Sequence, residues 1–149
     1  MNSLSDDAPR VVVALLDWNA ARTEAVPIRT VVFVEEQGVP AALELDAIDA
    51  QCDHAIARTP AGTAIATGRL LPDGHIGRMA VLADWRGRGV GRAVLEALMA
   101  RATERGMTEV ALSAQTHAAP FYAKSGFVER GAIFMDAGIP HIEMSQRLR

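Results

Sequence analysis

Three arginines and three glycines interleave in Arg86-Gly87-Arg88-Gly89-Val90-Gly91-Arg92, directly ahead of a helical run. The first backbone N–H groups of a helix have no internal partner, and the helix dipole adds partial positive charge there. Glycines let a phosphate or another backbone come close. The segment therefore reads as an anion cradle flanked by three fixed cations. The competing reading is a plain helix start with solvated arginines. Two phosphate loops are excluded by residue type. A P-loop needs Gly-Lys-Ser/Thr, and the only lysine, Lys124, follows Ala123. The dinucleotide fingerprint needs glycine where Arg92 stands, between strands of a βαβ unit, and the flanking strands here read antiparallel. A different phosphate-bearing ligand is left.

A second chemical feature lies upstream. Residues 30–57 hold Glu35, Glu36, Glu44, Asp46, Asp49 and Asp53 but no lysine or arginine. Such a block either lines a pocket that attracts a cation or forms a solvated face. Cys52-Asp53-His54 is too sparse for a zinc site, which takes three or four ligands, and no metal is expected. Cys52 reads as a buried structural thiol, since a nucleophile needs an activating base beside it. No Gly-x-Ser-x-Gly elbow occurs.

The elements that must position these groups follow from periodicity. Val11 to Leu16 reads as a strand, Asn19 as the cap of a helix, and Pro27 as its kink or as the start of a second one. Gly38-Val39-Pro40 stops that stretch, and residues 41–51 read as a short helix or an ordered loop. Strand-like runs at His54–Arg58, Thr63–Leu71 and His75–Leu82 are separated by Pro60-Ala61-Gly62 and Pro72-Asp73-Gly74, which predicts an antiparallel meander. Val90 to Arg105 places Val90, Val94, Ala97, Leu98 and Ala102 on one helical face, and Gly106 closes it. A strand at Glu109–Ser113, a short helix at Ala118–Ser125 and a hairpin around Gly138 complete the order β-α-β-β-β-α-β-α-β-β. This is an α+β layout, a mixed and mostly antiparallel sheet flanked by helices. At 149 residues, 50% apolar and 22% charged, one domain spanning 1–149 is expected, with 1–9 a flexible terminus. A net charge of −3 argues against nucleic acid or anionic membrane as partner. One cysteine and a polar, acidic start point to a cytoplasmic protein.

Arg86-Gly87-Arg88-Gly89-Val90-Gly91 resembles the Arg/Gln-x-x-Gly-x-Gly/Ala acyl-CoA signature of the GCN5-related N-acetyltransferase (GNAT) superfamily. Phe121-Tyr122-Ala123-Lys124-Ser125-Gly126-Phe127 resembles its second signature, Phe-Tyr-x-x-x-Gly-Phe. More narrowly, Val32-Phe33-Val34-Glu35-Glu36-Gln37-Gly38-Val39-Pro40 and Gly138-Ile139-Pro140-His141-Ile142 are similar to the ElaA/YjcF-like subgroup. The resemblance implies that the strand with Met79, Ala80 and Val81 splays from the strand with Ala111 to Ser113, leaving a cleft for acyl-CoA. Pantetheine would pair with the first strand and pyrophosphate would rest on residues 88–91, with His117, Tyr122 and Lys124 also on the donor side. Many relatives carry asparagine ahead of Phe-Tyr, where this chain has Gln115, Thr116 and His117.

The implied activity is transfer of acetyl from acetyl-CoA to a primary amine of a small molecule by direct attack. Alternatives are a non-catalytic acyl-CoA sensor and an acyltransferase acting on a protein amine. An amine attacks only when neutral, so a base helps. The Val81 N–H is the implied oxyanion donor, and Tyr122, the only tyrosine, the implied general acid. Glu36 is the first expectation for the base and His54 the second. Glu35, Glu36, Asp46, Gln115 and His141 are expected around the acceptor. An acidic acceptor end would favour amines with a second positive charge or none over amines carrying a carboxylate. Oligomeric state stays open, a homodimer among the expectations.

Overall fold

The computed structural model describes residues 10–44 and 46–149. The stretch 1–9, expected above to be a flexible terminus, lies outside the described residues. Seven strands form one sheet: β1 (Val12–Leu16), β2 (Asp53–Arg58), β3 (Ala64–Leu70), β4 (His75–Val81), β5 (Glu109–Gln115), β6 (Val128–Asp136) and β7 (Ile139–Arg147). Their spatial order is β1-β2-β3-β4-β5-β7-β6, antiparallel throughout except for the parallel β4–β5 pair. The helices are α1 (Trp18–Arg29), α2 (Ala41–Glu44), α3 (Val90–Glu104) and α4 (Ala119–Lys124). The element order is the one expected, with boundaries moved by a residue or two.

The two faces of the sheet are covered by different helices. Val90, Val94, Leu95, Leu98 and Ala102 of α3 pack on Ala55, Ala57, Ile65, Leu70, Ile76, Leu112 and Met144. On the other face Ala21 and Ala25 of α1 meet Ile56, and Ile28 and Val32 meet Ala80. This double cover explains why β2 reads His-Ala-Ile-Ala without alternation, since all four residues are buried. Edge strand β6 is exposed along its whole length. The β6–β7 turn, Ala137-Gly138, has φ +52° and +76°, the paired left-handed conformation of a two-residue hairpin loop.

Helix α1 starts two residues earlier than expected. Asp17, not Asn19, is its cap, accepting from the Ala20 N–H at 2.9 Å, and this places Trp18 at the first helical position. Pro27 neither breaks the helix nor starts a new one. It lacks an N–H to give to the Thr23 carbonyl, yet the helix continues through it to Arg29, and a π-helical segment follows at Thr30–Glu36. The Gln37 N–H reaches back five residues to the Val32 carbonyl at 3.2 Å, and Gly38, at φ +74°, ends the turn.

Under α1 lies a buried ionic cluster. Arg29, 1% exposed, donates Nη1 and Nη2 to the two Asp49 carboxylate oxygens at 3.0 and 2.9 Å, and Nε to Glu44. Arg69 Nη1 shares the same Asp49 oxygen at 2.8 Å, and its Nη2 reaches Asp46 at 2.9 Å. Burial opposes ionisation of Asp49, but the hydrogen bonds from Arg29 and Arg69 outweigh it and hold its carboxyl below the usual range. The cluster ties α1, α2, the 3₁₀ turn Ala47–Gln51 and β3 together.

Asp49→Ala leaves two buried guanidinium groups undercompensated and is expected to cost about 3–5 kcal/mol in urea unfolding. The sign of the pH dependence follows from a depressed folded-state pKa. The contribution of Asp49 is complete above the unfolded value of about 3.9 and is lost as pH falls through the lower folded value. The wild type should therefore lose stability below about pH 4 more steeply than Asp49→Ala, read as urea midpoints against pH.

Candidate active site

Strands β4 and β5 are paired only at His75↔Ala111 and Ile76↔Leu112, and then part. The parting coincides with a bulge. Between the pairs Arg69↔Gly77 and Thr67↔Ala80, β4 carries Arg78 and Met79 opposite Gly68 alone, and Arg78 has φ +49°. Gly68 is required there, because a Cβ would lie 2.7 Å from Met79 Sδ and 3.0 Å from Leu98 Cδ1 and Val94 Cγ1. Beyond the bulge, the Leu82 N–H bonds the Ile65 carbonyl at 2.9 Å. The Val81–Ala66 pair is therefore a non-hydrogen-bonded one, and the N–H of Val81 turns away from β3 into the gap.

The gap opens into a cavity of about 980 Å³. Its donor end is the glycine loop. Gly87 and Gly89 have φ +75° and +81° and open space where a Cβ would stand. Gly89 caps α3, and the first intrahelical bond runs from the Ala93 N–H to the Gly89 carbonyl at 3.1 Å. The N–H groups of Val90, Gly91 and Arg92 thus have no intrahelical acceptor. This fits a diphosphate. The arginines are more committed than the sequence suggests: Arg86 donates to the Val81 carbonyl at 2.9 Å and to Glu36 at 2.6 Å, Arg92 pairs with Glu96, and Arg88 stacks on Trp85 at 5.0 Å.

Tyr122 lines the middle of the cavity with its ring edge-on to Phe121 and Phe127. Burial pushes its hydroxyl up to about 12. Across the cavity, His141 on β7 stacks on Phe134, and its Nδ1 lies 2.7 Å from the Ile139 carbonyl. A carbonyl only accepts, so Nδ1 carries the proton and Nε2 holds the lone pair of the neutral ring. His75 differs. Its nitrogens face Asp73 at 3.1 Å and Glu143 at 3.2 Å. Burial works against the charge, but these two carboxylates raise its pKa. Ser113 donates to the other Glu143 oxygen at 2.9 Å.

Of the residues expected from sequence, Met79, Ala80, Val81, Arg86, Gly87, Gly89, Val90, Gly91, Arg92, His117 and Tyr122 line the cavity, as do Glu36, Gln115 and His141. Arg88, Lys124, Glu35 and Asp46 do not. His54 is a correction. It is 1% exposed, packs on Trp18 at 4.8 Å and donates Nε2–H to the Asp49 carbonyl at 2.9 Å, away from the cavity wall. Burial lowers its pKa, and it serves the fold. The open acidic mouth is a second correction: Glu44, Asp46 and Asp49 are bound by Arg29 and Arg69, and Asp53 by Arg101 and Arg105. Gln115 donates to Gln37 at 2.8 Å, so with the Glu36–Arg86 pair the π-helical segment is pinned across both arms of the gap. Cys52 is buried, its thiol pushed up to about 11 by burial, and donates to the Ile48 carbonyl. Among the described residues no group of His, Cys, Asp and Glu could hold a metal ion. Sequence reasoning missed Arg69, Arg78, His75 and Ser113 on the acceptor side.

A family model described as an acetyltransferase (GNAT) domain matches residues 23–148. An uncharacterized N-acetyltransferase of Bacillus subtilis, YjcF, is 38% identical over 128 residues, covering 81% of this chain and 89% of that protein. A Schizosaccharomyces pombe UPF0039 protein is also 38% identical, over 81% of this chain and 84% of its own. Among solved structures, an acyl-CoA N-acyltransferase from Pseudomonas aeruginosa superposes with a TM-score of 0.81 at 30% identity, covering 91% of this chain and 99% of that one. Escherichia coli ElaA superposes at 0.79 with 26% identity and the same coverage.

The cradle has a direct test. Gly89→Val forces a branched side chain into a left-handed backbone, at about 1–2 kcal/mol. No neighbour stands within 4 Å of its Cβ, so the fold has nothing to clash with. CoA affinity measured by calorimetry should fall about tenfold or more while the circular dichroism spectrum is unchanged.

Proposed function

Because this chain belongs to the GNAT acetyltransferase family, we propose that it transfers the acetyl group of acetyl-CoA to the primary amine of a small molecule by direct attack. The observation that supports this most is the shared cavity. The part of β4 that does not pair with β5, the free N–H groups at the start of α3, Tyr122 and His141 all line one space. Acetyl-CoA would enter between β4 and β5, with its pyrophosphate on the N–H groups of 89–92 and its pantetheine alongside Met79 to Val81. The thioester oxygen would then take the Val81 N–H, which points into the gap and can stabilise developing negative charge.

The chemistry needs two proton movements. The amine nitrogen forms a bond to the thioester carbon and loses a proton to His141 Nε2, which its Nδ1–carbonyl bond leaves as the accepting nitrogen. The carbon–sulfur bond then breaks, and Tyr122 supplies a proton to the departing sulfur. A hydroxyl held near 12 is fully protonated at neutral pH. The base thereby moves from Glu36, whose carboxylate is paired with Arg86, to His141. Solvent returns the proton from His141 to Tyr122, and the products are an amide and CoA thiol.

Free thiol release that depends on an added amine is the test of the activity. Tyr122→Phe deletes one hydroxyl and should leave CoA affinity unchanged while lowering kcat by roughly 10²–10⁴. His141→Gln should lower kcat by a comparable factor and remove the acidic limb of its pH profile, while Glu36→Gln keeps that limb. Release of thiol at the same rate without amine would overturn the transfer reading.

A further inference from the structure

The acceptor side of the cavity carries two arginines that the donor loop does not use. Arg69 is 6% exposed and lines the cavity. Both of its terminal nitrogens are spent on Asp49 and Asp46, yet its Nε is buried without a hydrogen-bond partner. It lies under Gly77, where a Cβ would stand 4.0 Å from that nitrogen. Gly77 also lines the cavity and places no side chain against that nitrogen. A buried guanidinium N–H without an acceptor is costly, and the cost is removed by a ligand that brings one.

Arg78 stands next to it in the β4 bulge. A non-glycine residue at φ +49° persists only where its surroundings over-determine it, and such positions cluster at ligand sites. The Arg78 side chain also lines the cavity, with Asp46 at 3.7 Å. Burial first, and then the charges of Arg69 and Arg29, disfavour its protonated form. Two guanidinium groups, those of Arg69 and Arg78, therefore line one wall, and the buried Arg29 adds its charge from outside the cavity lining. Their compensating carboxylates lie behind it: Asp46 and Asp49 do not line the cavity, and Glu44, which does, is bound to Arg29. His141 is on the opposite arm of the gap, on β7.

Resting on the amine-acetylating reading above, we propose that the acceptor is a primary amine that also carries a carboxylate, held by Arg78 and the Arg69 Nε while its amine meets His141. A carboxylate supplies the acceptor that the Arg69 Nε lacks and a negative charge where cations are packed. The preference runs opposite to the one expected from counting acidic residues along the chain. Those acids are already neutralised inside the protein, while Arg69 and Arg78 line the cavity.

The test uses wild-type protein with acetyl-CoA and matched sets of primary amines that share a skeleton. Each set carries a free carboxylate, its uncharged amide, or a second amine in its place, and thiol release is followed for each. The expected order of kcat/KM is carboxylate over amide by tenfold or more, with the diamine last. Arg78→Gln should raise KM for the carboxylated amine about tenfold and bring it level with its amide, without changing CoA affinity. Arg78→Lys should restore part of the preference, since it keeps the charge but loses the fork. Acetylation in which amides or diamines match the carboxylated amines overturns this inference and leaves the transferase reading intact. So does an Arg78→Gln protein that keeps the preference. If no amine accelerates thiol release in the wild type, the transferase reading fails and this inference fails with it.

Discussion

The parting of β4 from β5 after two bridged residues is the constraint around which the molecule is arranged. Its origin is local. One extra residue on β4 forms a bulge at Arg78-Met79, and Gly68 opposite leaves the space that the Met79 sulfur occupies. A bulge bends its strand and raises the twist, so β4 leaves the plane that β5 continues in with β7. The backbone groups thereby freed on β4 are useful only if a ligand strand takes them. Otherwise they would be unpaired polar groups in a partly buried cleft. The glycine loop and the start of α3 lie at the end of that same strand, so the anion cradle and the open edge share one continuous segment, Met79 to Arg92.

The edge of this gap is held in place by the ionic cluster beneath α1. The bulge residue sits beside Arg69, which is fixed by Asp49 and Asp46, and Asp49 is fixed in turn by Arg29. The cluster adds little net energy relative to a well-packed apolar core. What it supplies is direction. Arg29 ends α1 where the π-helical segment begins, and that segment crosses the gap, pinned by Glu36–Arg86 on one arm and Gln37–Gln115 on the other. Pro27 matters here because a regular helix would carry Glu36 and Gln37 at a different angle. The i→i−5 bond of Gln37 closes that π-helical stretch.

Much of this was legible in the sequence, and the exceptions share a cause. The element order, the α3 face, the glycine loop and the Tyr122 motif depend on short-range spacing, and sequence carries that information directly. The Asp17 cap was missed because Asp17 and Asn19 are both good caps two residues apart, and the choice is made by packing Ala21 and Ala25 on Ile56. His54 looked like a base because it titrates near neutrality, but strand alternation puts it beneath Trp18. The acidic block looked like a lure for cations because its arginine partners come from residues 29, 69, 101 and 105, outside the window. Arg69 and Arg78 gave no signal at all. Two arginines on strands read as ordinary polar positions, and only the register of β3 against β4 places them on the cavity wall.

The division of proton work proposed for Tyr122 and His141 rests on their opposite surroundings in the same cavity. Tyr122 is enclosed by Phe121 and Phe127, and an apolar shell penalises its phenolate, so at neutral pH it holds a proton and has one to give. His141 is bound through Nδ1 to a carbonyl two residues back on its own strand, so in the neutral ring Nε2 is the nitrogen that can receive a proton. Nearby His75 is excluded from that task by Asp73 and Glu143, which favour its charged form. A base must be empty and an acid full at the working pH. The hairpin carbonyl orients the imidazole and sets its tautomer with one hydrogen bond, and the aromatic shell keeps the tyrosine protonated, so neither role requires a charged partner in the path of the incoming amine.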